Sequence, residues 1–121
     1  MLISNPTAKL GEEIASKYLK EKGYKIIERN FRKRYGEIDI IATHQNILVF
    51  VEVKTRTSNL YGGAIEAIAY HKLKSLIKTA EFYKLLHSNL PESLRIDAIL
   101  IDLDSNNKVL NMEHVENISG F

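Results

Sequence analysis

Gly36-Glu37-Ile38-Asp39-Ile40-Ile41-Ala42, a polar break at Thr43-His44-Gln45-Asn46, and Ile47-Leu48-Val49-Phe50-Val51-Glu52-Val53-Lys54-Thr55-Arg56 read as two strands and the turn between them. The second run is the most hydrophobic segment of the chain, yet it closes on a carboxylate and an ammonium two residues apart. Side chains alternate along a strand, so Glu52 and Lys54 share a face. Asp39 lies in the partner strand, where a hairpin can set it beside that pair. The apolar run 47–51 suits a central strand covered on both faces, which asks for helices on both sides of a sheet.

Upstream, Asn5-Pro6 is a helix start, with Asn as cap and Pro at the first helical position. The helix should reach Lys22 and stop at Gly23. Its apolar stripe collects Ala8, Ala15 and Leu19, flanked by Ile14 and Tyr18. Glu12 falls inside the stripe. Glu13 falls outside it, four residues before Lys17, as a surface partner of that lysine. Periodicity leaves Glu12 two readings: an inward carboxylate that needs a pair or a metal, or a stripe-edge residue reaching water or a nearby cation. Residues 24–31 form a polar strand suited to a sheet edge, and Arg32-Lys33-Arg34 a basic turn.

Downstream, residues 58–63 form a loop with two glycines. Its Tyr61 either stacks on a base or packs where loop meets core. A helical stretch over roughly 65–87 buries Leu73, Leu76, Ile77, Ala80 and Tyr83. Residues 94–102 and 109–115 are two further strands, separated by Asp104-Ser105-Asn106-Asn107. This order predicts a single domain over residues 1–121. Its class is α/β: a three-layer α/β/α sandwich with a mixed central sheet, core order αβββαβ plus a C-terminal strand.

The 121 residues are enough for one core, and 45% hydrophobic with 26% charged residues is ordinary for a globular protein. The absence of cysteine excludes disulfides and thiolate metal sites. The start lacks the basic and apolar regions of a secretory signal, and no apolar run approaches a membrane span. A cytoplasmic protein without a membrane partner is expected. Charge is unevenly spread. Residues 17–34 carry eight Lys/Arg against Glu21 and Glu28, and residues 54–84 carry six against Glu66 and Glu81. Between them Glu37, Asp39 and Glu52 stand without a cation. An acidic island between basic blocks suits a metal site inside a phosphate-binding surface, although charge runs are commonly just solvated faces.

Clustered carboxylates need a cation or a shared proton to offset their repulsion. Hard oxygen ligands suit Mg²⁺ or Mn²⁺, with Asp39 and Glu52 as ligands, Glu12 as a further acid and Lys54 as the nearby cation. Arg32 and Arg56 are candidate phosphate contacts, with solvated surface as the alternative, and Lys72 is a candidate to face the cleft. Glu37 is either an extra acid or, preferably, the partner of an Arg. Asp97 with Arg95 reads as a structural ion pair. The four histidines lack metal-site spacing, and His44 is expected to be exposed in a turn.

Asp39, then Glu52-Val53-Lys54 thirteen residues on, with an upstream helical Glu, resembles the PD-(D/E)xK nuclease signature. The element order is similar to restriction-endonuclease-like proteins, among them archaeal Holliday-junction resolvases. More closely, the chain resembles the bacterial YraN-like family of uncharacterised proteins. The likeness is carried by Gly11-Glu12 with Ala15 and Leu19, Gly23-Tyr24, Arg29-Asn30 with Arg32, Gly36-Glu37-Ile38-Asp39, Phe50-Val51-Glu52-Val53-Lys54 with Arg56, Lys72, and Arg95-Ile96-Asp97. No Pro precedes Asp39; Ile38 stands there, as the family pattern expects. The resemblance implies the restriction-endonuclease-like fold, with Asp39, Glu52 and Lys54 in the catalytic positions and Glu12 as auxiliary acid. Together these readings point to a Mg²⁺- or Mn²⁺-dependent nuclease, with DNA favoured over RNA and branched DNA a candidate substrate. The alternative is a non-catalytic nucleic-acid-binding module acting with a partner. A homodimer is compatible with cutting two strands.

Overall fold

The computed structural model describes residues 5–57 and 70–120. The 58–63 loop with Tyr61, and the start of the long helical stretch, lie outside the described residues. Helix α1 (Pro6–Glu21) begins where Asn5 Oδ1 accepts from the amides of Thr7 at 3.0 Å and Ala8 at 3.3 Å. It ends at Lys22. Strands β1 (Lys25–Lys33), β2 (Gly36–His44) and β3 (Ile47–Arg56) follow as a meander, then α2 (Tyr70–Leu86), β4 (Leu94–Leu103) and β5 (Val109–Val115).

All five strands form one sheet in chain order, β1-β2-β3-β4-β5. β3 and β4 are parallel and the other pairs antiparallel, so the sheet is mixed. β3 is its middle strand. Val49 and Val51 pack with Ala15, Leu19, Ile99 and Ile101 on the α1 face. Leu48 and Phe50 pack with Leu76, Ala80 and Tyr83 on the α2 face. The apolar run 47–51 is therefore covered from both sides, and the layers are helix, sheet, helix. The polar β1 is an edge strand, as its composition suggests.

Gly11 lets α1 press onto β3. A Cβ there would lie 1.8 Å from Thr55 Oγ1 and 2.9 Å from Thr55 Cβ, which no ordinary contact permits. This close approach carries the next residue, Glu12, toward the strand ends.

Three local expectations are corrected. Arg32 and Lys33 belong to β1, and the turn is only Arg34-Tyr35, because the strand pairs with β2 as far as Lys33↔Gly36. Glu13 pairs with Arg29 of β1 at 2.9 Å rather than with Lys17, since an Arg on a neighbouring strand offers a direct hydrogen bond. His44 is half-buried and ends β2, its ring stacked on Tyr24 at 4.0 Å between centroids.

Candidate active site

The site forms where β2 and β3 part. Their pairing runs from His44↔Ile47 to Ile40↔Val51 and goes no further. Beyond that point the Val53 amide would lack a strand partner, and a buried orphan amide is costly. Asp39 Oδ2 takes it at 2.8 Å. The carboxylate thus sits in the notch between the strands, held by the backbone. Glu52 projects from β3 into the same notch, within hydrogen-bonding reach of Asp39. It is nearly buried.

Two carboxyls this close and this sheltered resist carrying two charges. Burial first, and then the Glu52 carboxylate, push Asp39 up to about 8, against the opposing Val53 hydrogen bond. Glu12 points inward, its side chain 16% exposed against 60% for Glu13. Its carboxyl is raised above the ordinary range by burial and by Asp39, while Arg29 counters. Periodicity had separated the two adjacent glutamates correctly. It left Glu12 either inward or at an edge with a cation, and the structure contains both features: Arg29 Nη2 lies 3.8 Å from its Oε1.

Lys72, at the start of α2, brings its ammonium to 3.5 Å from Glu52 Oε2. Lys54 stands on the face of Glu52, exposed, and among the described residues makes no ion pair. The two arginines are engaged. Arg32 pairs with Glu37 at 3.1 Å, and this is the Arg partnership preferred for Glu37. Arg56 clamps Asp102 with Nε at 2.9 Å and Nη2 at 3.3 Å.

Asn30, quoted above only among the residues that carry the family likeness, also belongs to the site. With its amide nitrogen turned to the acids it donates to Glu12 Oε1 at 3.0 Å and Glu37 Oε1 at 3.3 Å. Its backbone is left-handed, φ 55°. An Asn amid a strand is the visible signal, since Asn tolerates that conformation and disfavours regular strands.

Among the described residues no group of three or more Asp, Glu, His or Cys is disposed around one point for a metal. The notch offers two carboxylates. That donor set fits Mg²⁺ or Mn²⁺, which commonly take one or two carboxylates and keep waters or substrate phosphate in the remaining positions.

The order of helix, three strands, helix and strand around one mixed sheet makes this an α/β/α sandwich, with an Asp on β2 and Glu-x-Lys at the end of β3. The chain belongs to the family described as "Uncharacterised protein family UPF0102", which matches residues 11–101. A UPF0102 protein of Caldanaerobacter subterraneus subsp. tengcongensis is 46% identical over 110 residues, covering 90% of this chain and 88% of that one. A UPF0102 protein of Clostridium botulinum (strain Loch Maree / Type A3) is 43% identical over 110 residues, with 88% of each covered. Among solved structures, a FdxN element excision controlling factor protein from Anabaena variabilis superposes with a TM-score of 0.42 at 14% identity, over 86% of this chain and 98% of that one. Among the described residues no helix is long and apolar enough to cross a membrane.

Proposed function

We propose that this protein is a Mg²⁺- or Mn²⁺-dependent nuclease that hydrolyses phosphodiester bonds in nucleic acid, DNA in preference to RNA, with branched DNA a candidate substrate. The observation that carries the reading is the Asp39–Glu52 pair: two carboxyls brought together in a sheltered notch, one of them pushed up to about 8. Such an arrangement is unfavourable unless a proton or a cation joins it.

Asp39 and Glu52 would hold the ion, which when bound lowers the pKa of water and offsets charge on a phosphoryl oxygen. Asp39 is fixed by the Val53 amide, so its free oxygen keeps a constant direction. Lys54, on the face of Glu52, would orient an attacking water or offset charge developing on the phosphate. Glu12 stands beside the notch as an auxiliary acid that feels the Asp39 charge, tied by Asn30 and Arg29. Lys72, now 3.5 Å from Glu52, would be free to contact a backbone phosphate once a cation took its place at that carboxylate. The basic blocks on either side attract the strand at a rate that falls with salt.

A second reading, a nucleic-acid-binding module without catalysis, is favoured by the Glu52–Lys72 ion pair. That pair gives Glu52 a partner other than a metal. One experiment separates the two. Purified protein with Mn²⁺ is offered labelled single-stranded, duplex and branched DNA and matching RNA. Cleavage that Asp39→Ala or Glu52→Ala abolishes, and that a chelator stops, is the expected result. Salt-sensitive binding without any cleavage would replace the nuclease with the module.

A further inference from the structure

The turn Arg34-Tyr35 and the outer face of α2 share a surface that the acids do not use. Tyr35 is 43% exposed. Its ring meets Phe82 of α2 edge-to-face at 6.3 Å. Three grooves open around Tyr35, and Lys33, Arg34, Lys74 and Lys78 line them, with Glu81 as the one acid. The turn is not loose. Ser75 Oγ of α2 donates to the Tyr35 carbonyl. Gly36 follows at φ 150°, and a Cβ there would lie 2.6 Å from Ser75 Oγ. The aromatic pair is thus held on two elements, ringed by cations.

We infer that Tyr35 and Phe82 form a stacking platform for unpaired bases of a single strand whose phosphates lie along Lys33, Arg34, Lys74 and Lys78. Two features select this occupant. Cations around an exposed ring match a phosphate chain with accessible base faces. A duplex hides those faces inside its own stack and offers the ring nothing but backbone. The spacing also connects the platform to the notch. Tyr35 precedes Asp39 by four residues of β2, about 13 Å at a strand rise near 3.3 Å. Phe82 follows Lys72 by ten residues of α2, about 15 Å at 1.5 Å per residue. Both elements thus set the platform within about 15 Å of the acids, a reach that a few unpaired nucleotides span. The inference deepens the proposed function by naming its substrate: nucleic acid with unpaired nucleotides beside the scissile bond. It rests on that function for cleavage but not for binding.

The test is fluorescence anisotropy on the full chain with a chelator present, so that no cleavage occurs. The probes are a labelled single strand and the corresponding duplex of equal length. Tyr35→Ala should weaken single-strand binding about tenfold, Tyr35→Phe less than about twofold, and neither should alter duplex binding. The salt slope should stay unchanged in both, because no charge is removed. Tyr35 is exposed, so the fold should persist; Phe82→Leu, which keeps bulk under the ring, is the second variant and should also lose single-strand preference. Equal loss on strand and duplex, or no loss on either, overturns the platform. So does a wild type that binds neither probe while Tyr35→Ala changes its self-association, which would make this face a protein contact. Failure of Asp39-dependent cleavage would remove the nuclease and leave this binding result intact.

Discussion

Asp39→Asn is the sharpest probe of the notch, because it removes one charge and little else. Asn can still accept from the Val53 amide and can donate to Glu52, as protonated Asp39 does. Asp39 is pushed up to about 8 by burial and by Glu52. Its folded-state pKa therefore lies above the unfolded value near 3.9. Between those values the native state holds a proton that the unfolded chain has lost, so stability falls as pH rises through that window. Linkage caps the effect at roughly 6 kcal/mol, and relaxation of the neighbouring Glu52 and Lys72 should reduce it to about 3 kcal/mol.

Metal-free wild type and Asp39→Asn should thus match below about pH 3.9, and the variant should be more stable by about 3 kcal/mol near pH 9. In urea, with a slope near 2 kcal/mol/M, the midpoints should differ by about 1.5 M. Mn²⁺ at about a hundred times its dissociation constant should add ~2.7 kcal/mol to wild type and almost nothing to the variant. If the variant loses stability with pH as steeply as wild type, the two carboxyls are not coupled. If Mn²⁺ stabilises both alike, Asp39 does not hold the ion.

Other outcomes follow from the same geometry. Gly11→Ala should cost about 1–3 kcal/mol in urea unfolding, since α1 must lift from Thr55, and it should slow any Mn²⁺-dependent cleavage by displacing Glu12. Lys72→Met should tighten Mn²⁺ binding a few-fold by calorimetry, because a competing cation 3.5 Å from Glu52 is gone, while nucleic-acid affinity falls. Asp97→Asn should destabilise by about 3 kcal/mol near neutral pH, because the ion-paired Arg95 and the hydrogen-bonded His114 lose their shared acceptor.

Legibility in the sequence tracked how local the cause was. Asn5-Pro6 and Gly23 bracket α1 to within a residue, because caps act on adjacent amides. The 47–51 run predicted a central strand covered on both faces, because alternation and length are read from neighbours. The pairing of Asp39 with Glu52 was an extrapolation from the hairpin. What no local rule contains is the parting of β2 from β3 after Ile40↔Val51, which is what turns Asp39 into the acceptor for Val53. The site role of Asn30 was hidden for the same reason: it lies in bridging Glu12 and Glu37, residues of two other elements. Arg56 was a reasonable phosphate ligand by type, yet β4 sets Asp102 directly opposite it in the parallel register.

The sheet carries two sheltered aspartates whose surroundings drive them in opposite directions, and the contrast supports a functional notch. Burial works against the charge on Asp97, but His114, Arg95 and the Asn117 amide outweigh it and hold the carboxyl below its ordinary range. His114 in turn touches the Tyr18 hydroxyl, and Arg95 the Tyr24 hydroxyl, so this network joins β4 and β5 to α1. Its contribution is present above the unfolded pKa near 3.9 and lost as pH falls through the lower folded value. Among the described residues Asp39 has one amide, a neighbouring acid and no direct cation. Its effect has the opposite sign and weakens the protein as pH rises. A fold that can surround one aspartate with a guanidinium, an imidazole and an amide has the means to do the same for the other. Leaving Asp39 to a proton, or to an ion from solution, makes structural sense if the charge is reserved for a ligand. Metal-free protein should then be most stable just above the carboxylate range, and a divalent ion should extend that plateau to alkaline pH; an unchanged pH profile in saturating Mn²⁺ would break the link between the acid pair and the metal.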